Sequence, residues 1–178
     1  MKQPSALLAL LCFVSLPADS HRLDEYLQAT VLSLEPGTLT ATLRLVPGVA
    51  VASKVIARLD PNVDGTISQD EQTAYVNRVL GDLTLTLDGR KLELQRRAAS
   101  FPDIDLMRSG LGEIQLVLTS ELPVVHGIHR IRLENHHEPG ISAYLANTLT
   151  PRDARIRIES QERSPDQSVY CVTFAASE

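Results

Sequence analysis

Between positions 60 and 71 the chain sets oxygen-bearing side chains at short, regular intervals. These are Asp60, Asn62, Asp64, Thr66, Ser68 and Glu71, with Gly65 and Ile67 among them. Carboxylates, an amide and hydroxyls are hard donors, and the chemistry they suit is cation binding. A hard divalent ion such as Ca²⁺ takes about seven oxygen ligands, and a tight loop can offer them only from alternate residues. Gly65 falls where such a loop must turn sharply, a bend that a Cβ would penalise. Pro61 stands at a position that need not coordinate.

Counted from Asp60, oxygen-bearing side chains occupy positions 1, 3 and 5, Gly position 6, Ile position 8, Ser position 9 and Glu position 12. This spacing resembles the EF-hand calcium loop. The resemblance implies that Asp60, Asn62 and Asp64 supply side-chain oxygens and Thr66 its backbone carbonyl. Ser68 would give an oxygen directly or through water, and Glu71 both carboxylate oxygens. It also implies that Ile67 points away from the ion, is buried, and pairs through a short β segment with a partner loop. The flanks fit helices that bury one face: Ala52, Val55, Ile56 and Leu59 before the loop, Tyr75, Val76 and Val79 after it. Gln72 departs, standing where an apolar residue is common. Only one such loop occurs, and a calcium sensor needs paired hands that open. A lone hand pairs between two molecules or rests on its own domain; the expectation is the second, with the ion stiffening the insert.

The elements that must carry this loop read as strands. Leu39, Ala41, Leu43 and Leu45 share one face while Thr38, Thr40, Thr42 and Arg44 share the other. Glu35-Pro36-Gly37 supplies the turn before them. Leu83, Leu85 and Leu87 alternate with threonines up to Asp88-Gly89, a pair suited to a two-residue type I′ hairpin turn. Further strands are expected at 113–119, 127–135, 141–149, 154–160 and 168–175, with one at 25–34 whose alternation is poor. About nine short strands predict a mainly β fold, an immunoglobulin-like β-sandwich with an EF-hand helix–loop–helix inserted at 49–81. A β-barrel is the runner-up.

Length and composition set the frame. The chain has 178 residues, 17 Lys+Arg against 22 Asp+Glu, a formal net charge of -5 and no Trp. That balance argues against nucleic acid as a partner. Residues 1–20 carry Lys2, an apolar run from Ala6 to Val14 and small residues near Ser20, the order of a signal peptide. Nine apolar residues are too few to span a bilayer. Cleavage before His21 leaves a single domain, 21–178, in a periplasmic or extracellular setting. Cys12 leaves with the signal, so Cys171 remains as a lone cysteine without an internal disulfide partner.

The other candidates are weaker in pattern. A mature His21 would offer its amine and its ring, the start of a copper-binding histidine brace. His136 and His137 are adjacent and expected to face opposite ways as polar residues at a loop end. Asp82 and Asp88 look isolated, and no catalytic motif occurs, so no enzyme activity is expected. The runs HRLDEYLQ (21–28), VLGDLTL (79–85) and ENHHEPGISAY (134–144) are similar to an exported domain that, in some bacteria, precedes a HupE/UreJ-type membrane region. That membrane family is associated with nickel or cobalt uptake. Here no apolar stretch approaches 18 residues outside the signal, so what carries over is an extracytoplasmic setting and another membrane or extracytoplasmic protein as a partner. The resulting expectation is Ca²⁺ binding in a structural or interaction role. A copper or nickel accessory domain using His21 is the alternative.

Overall fold

The computed structural model describes residues 24–123 and 126–177. The expected signal peptide, 1–20, and His21 lie outside the described residues.

The chain begins with a long hairpin, β1 (Tyr26–Glu35) and β2 (Gly37–Pro47), closed where Gly37 takes φ 78°. The expected face of β2 is buried: Leu39, Leu43 and Leu45 are fully inaccessible and Ala41 nearly so. In β1 the burial alternates without a break, although the sequence alternation is poor. The inward positions are Tyr26, Gln28, Thr30, Leu32 and Leu34. Two of these five are non-aromatic polar residues, which hides the period in a hydrophobicity reading.

Helix α1 (Val49–Leu59) and helix α2 (Gln69–Asp82) follow, separated by the loop around residues 60–68. They interrupt the strands close to the expected span, 49–81. Then come β3 (Leu83–Leu87), β4 (Arg90–Leu92) and β5 (Gln95–Ser100), a short α3 (Ile104–Arg108), β6 (Ile114–Leu122), β7 (Gly127–Asn135), β8 (Ser142–Thr148), β9 (Ile156–Arg163) and β10 (Val169–Ala176). The β3–β4 turn has φ 50° at Asp88 and 80° at Gly89, the paired positive values of a type I′ turn. Two elements were not expected. β5 exposes almost every residue and so carries no period-two signal, and α3 is only five residues long.

The fold is mainly β, with two five-stranded sheets. One has the order β5-β6-β2-β1-β8, the other β4-β3-β7-β10-β9. Neighbours are antiparallel except β1 and β8, which pair in parallel from Tyr26↔Ser142 to Leu32↔Thr148. The inward residues of both sheets belong to one apolar core, Leu32, Leu43 and Leu116 from the first, Leu85, Leu133, Val172 and Phe174 from the second. Val51, Val55, Leu59, Tyr75, Val76 and Val79 of the two helices join it. Burying these side chains contributes roughly 1.5–3 kcal/mol each, which anchors the helix pair to the sheets. Cys171 is buried in β10 as a free thiol, and among the described residues no helix is long and apolar enough to cross a membrane.

Candidate metal centre

The loop is built by its own side chains. α1 ends as the Asp60 amide donates to the Ile56 carbonyl at 2.8 Å. Asp60, a residue only 4% exposed, turns its carboxylate back into the loop. Its Oδ1 accepts from the Asp64 amide at 3.1 Å and its Oδ2 from the Gly65 amide at 3.0 Å. Asn62 Oδ1 accepts from the same Asp64 amide at 3.1 Å, and Asn62 Nδ2 donates to Asp64 Oδ2 at 2.9 Å. Asp64 Oδ1 accepts from Thr66 Oγ1 at 2.7 Å and from the Thr66 amide at 2.9 Å. Those bonds, the hydroxyl first, hold the Asp64 carboxyl below the usual carboxylate range.

Two backbone positions in the loop take positive φ. Gly65, at 83°, has open space where a Cβ would stand, so its requirement is conformational and not steric. Val63, at 59°, is a β-branched residue in the left-handed region and is strained there.

Glu71 sits apart from the other two carboxylates. Its Oε2 accepts from the Ser68 amide and hydroxyl, both at 2.8 Å, while Ser68 Oγ accepts from the Glu71 amide. This reciprocal pair is a capping box that starts α2. Asp60, Asn62 and Asp64 are thus gathered around the amides of 64–66, and Glu71 is held at the helix start. Among the described residues no three His, Cys, Asp or Glu side chains are grouped to hold a metal ion. The donor set itself is all oxygen, three carboxylates, an amide, hydroxyls and a carbonyl, which fits a hard cation and not a soft one.

Ile67 turns toward its own domain. It is half-buried against the domain's own core, and its carbonyl accepts from Gln72 Nε2 at 3.0 Å. Gln72, in the helix that leaves the loop, thus satisfies that carbonyl. Beyond it a cleft of about 720 Å³ opens between Gly65–Ile67 and the segment Phe101–Leu106.

No family model matches the chain. No curated protein and no solved structure is significantly similar to it.

A second cluster lies under α2 and corrects two readings of the sequence. His137 stands in the loop just after β7, as expected, but is fully buried, and Asp82 is its partner and not isolated. His137 Nδ1 lies 2.8 Å from Asp82 Oδ2, and His137 Nε2 lies 3.1 Å from the Tyr75 hydroxyl. The Tyr75 and Tyr26 hydroxyls are 2.5 Å apart. The His137 carbonyl accepts from Gln28 Nε2 at 2.8 Å, Tyr144 at 2.9 Å and Ser142 at 3.1 Å. Asn135 ties Gln28 to the His137 amide through bonds of 2.9 Å each. The three runs 21–28, 79–85 and 134–144, far apart in sequence, contribute Tyr26 and Gln28, Asp82, and Asn135, His137, Ser142 and Tyr144 to this one cluster. Burial pushes the His137 imidazole below its ordinary value, with Asp82 pulling the other way. It pushes the Tyr26 and Tyr75 phenols up.

His129 and His136 lie outside this cluster. His129 Nδ1 is 2.7 Å from Asp88 Oδ2 at the far end of β7, and His136 is exposed beside Glu134. Asp88 is thus also a histidine partner. Arg130, Arg132, Arg155 and Arg157 are exposed.

Proposed function

We infer that this chain binds Ca²⁺ through residues 60–71 as a single EF-hand carried on an immunoglobulin-like sandwich. One observation carries the reading: the Asp60 carboxylate receives the amides of Asp64 and Gly65 and so folds the loop around the oxygens of residues 60, 62 and 64. Asp60, Asn62, Asp64, Thr66, Ser68 and Glu71 would hold the ion, which supplies positive charge that cross-links α1 to α2. Glu71 would give up its bonds to Ser68 in order to do so. Two facing sheets with mostly antiparallel pairs support the sandwich description.

The ion stiffens the helix pair, and the role is structural or interactive at an extracytoplasmic site, with affinity on the order of 10⁻⁴–10⁻³ M as in extracellular modules. No reaction is assigned. Calorimetric titration of the exported chain with CaCl₂, paired with thermal melts, tests this. Heat of binding and a raised Tm are expected, both lost in Asp60→Ala. A Tm that ignores calcium, or that rises equally in the variant, removes the proposal.

A further inference from the structure

The cluster beneath α2 has a direction. A carboxylate can only accept, so His137 Nδ1 carries a hydrogen toward Asp82, and Nε2 is left to accept from the Tyr75 hydroxyl. Tyr75 then receives the Tyr26 hydroxyl hydrogen. Every hydrogen along Tyr26, Tyr75, His137 and Asp82 has an acceptor while His137 is neutral. A proton on Nε2 makes His137 a donor to Tyr75; the Tyr75 and Tyr26 hydroxyls then hold two hydrogens and share one contact, so one of those hydrogens has no acceptor. Tyr26 is fully buried, and among the described residues Tyr75 is the only hydrogen-bond partner of its hydroxyl. Leaving a buried donor without an acceptor is costly.

The members come from three places. Tyr75 and Asp82 belong to α2, the helix that leaves the candidate calcium loop, Tyr26 to β1, and His137 to the segment between β7 and β8. The cluster is thus a fastening of that helix to the sheets. The charged groups facing His137 are Asp82 and Arg78 of α2 and the adjoining Glu138. Glu138 is neutralised by Arg58 of α1 at 2.8 Å.

We propose that Tyr26, Tyr75, His137 and Asp82 form a proton-sensitive latch: acid places a proton on His137, loosens α2 from β1, and weakens calcium at the loop. The calcium half rests on the function proposed above; the latch half does not. Because the imidazole is held below 6.5 in the folded chain, the unfolded chain binds the proton first. Stability is therefore full above about pH 6.5 and falls as pH drops below it.

The test uses the exported chain, wild type, His137→Gln and Asp82→Asn. Calcium-free melts between pH 7.5 and 5 should show a fall of a few degrees in the wild type that is absent in His137→Gln. In Asp82→Asn the imidazole loses the carboxylate that favours its protonation, so its NMR titration should move to lower pH. A purely structural role would not move that midpoint. CaCl₂ titration by calorimetry at pH 7.5 and 5.5 should show affinity dropping roughly fivefold or more in the wild type and far less in His137→Gln. Identical melting profiles for wild type and His137→Gln, or a His137 midpoint at or above 6.5, overturn the latch. Calcium binding that is equal at both pH values overturns the coupling and leaves the calcium reading standing. Absence of binding at either pH overturns that reading and the coupling together, and the calcium-free melts still decide the latch.

Discussion

The side-chain amide of Gln72 donates to the backbone carbonyl of Ile67 across 3.0 Å. Five residues apart, they close the loop's outer edge from within. An unpaired carbonyl in a partly buried site costs free energy, and a second loop is one way to satisfy it. Gln72 is another, and it needs no partner. Gln72→Leu should therefore lower stability by about 1 kcal/mol and speed amide exchange across residues 64–67, measured by NMR. Unchanged exchange would mean that the Gln72 bond does not hold the loop.

Glu71 has two possible tasks, cap and ligand, and one substitution separates them. Glu71→Gln keeps a side-chain acceptor for the Ser68 amide, since glutamine serves in a capping box. It cannot offer a charged, bidentate carboxylate. The calcium-free Tm should stay close to that of the wild type while calcium affinity falls on the order of tenfold or more. Ser68→Ala, by contrast, should cost roughly 1 kcal/mol of calcium-free stability, read from denaturant unfolding.

Val63 is 83% exposed and has φ 59°, so its side chain gains little from packing and strains its backbone. Asparagine tolerates the left-handed region better. Val63→Asn is expected to raise stability by about 1 kcal/mol, checked by urea unfolding. A loss would show that the valine makes contacts that outweigh the strain.

The Asp64 carboxyl is held below 3.8, first by the Thr66 hydroxyl and then by the Thr66 amide. A depressed carboxyl adds stability above the unfolded value, and that contribution disappears as pH falls through the folded one. Thr66→Val removes the hydroxyl bond alone. The Asp64 titration, followed by carboxyl ¹³C shifts, should move up toward 3.8 without reaching it, because the amide bond remains.

The turn at Asp88-Gly89 offers a check on the fold itself. A Cβ at Gly89 meets nothing within 4 Å, and φ is 80°, so Gly89→Ala probes backbone strain only. It should destabilise by roughly 1 kcal/mol in thermal melts. No change would mean that the hairpin relaxes out of its type I′ form.

Much of this architecture was legible because it is local. Alternation in Leu39–Leu45, positive φ at an Asp-Gly pair, helical spacing on both sides of residues 60–71 and the donor sequence itself all depend on neighbours a few positions apart. β5 was not legible, since Gln95–Ser100 exposes nearly every residue and its strand exists only through its ladder with β6. β1 was obscured for the opposite reason: Gln28 and Thr30 face inward, Gln28 because His137, Ser142 and Asn135 bond it there.

The sequence by itself determined most of the strands along the chain, the place of the helix pair and the spacing of oxygen donors, each a consequence of local backbone and side-chain chemistry. Only the tertiary structure decided where the buried polar groups find one another. The bonds from Tyr75 to Tyr26 and His137, and from Gln28 to His137, join positions 49, 62 and 109 apart. No periodicity reports such pairs. A polar side chain is stable inside the core only where folding brings its donor or acceptor to it, so a histidine at a loop end is buried at the centre of the cluster that fastens α2.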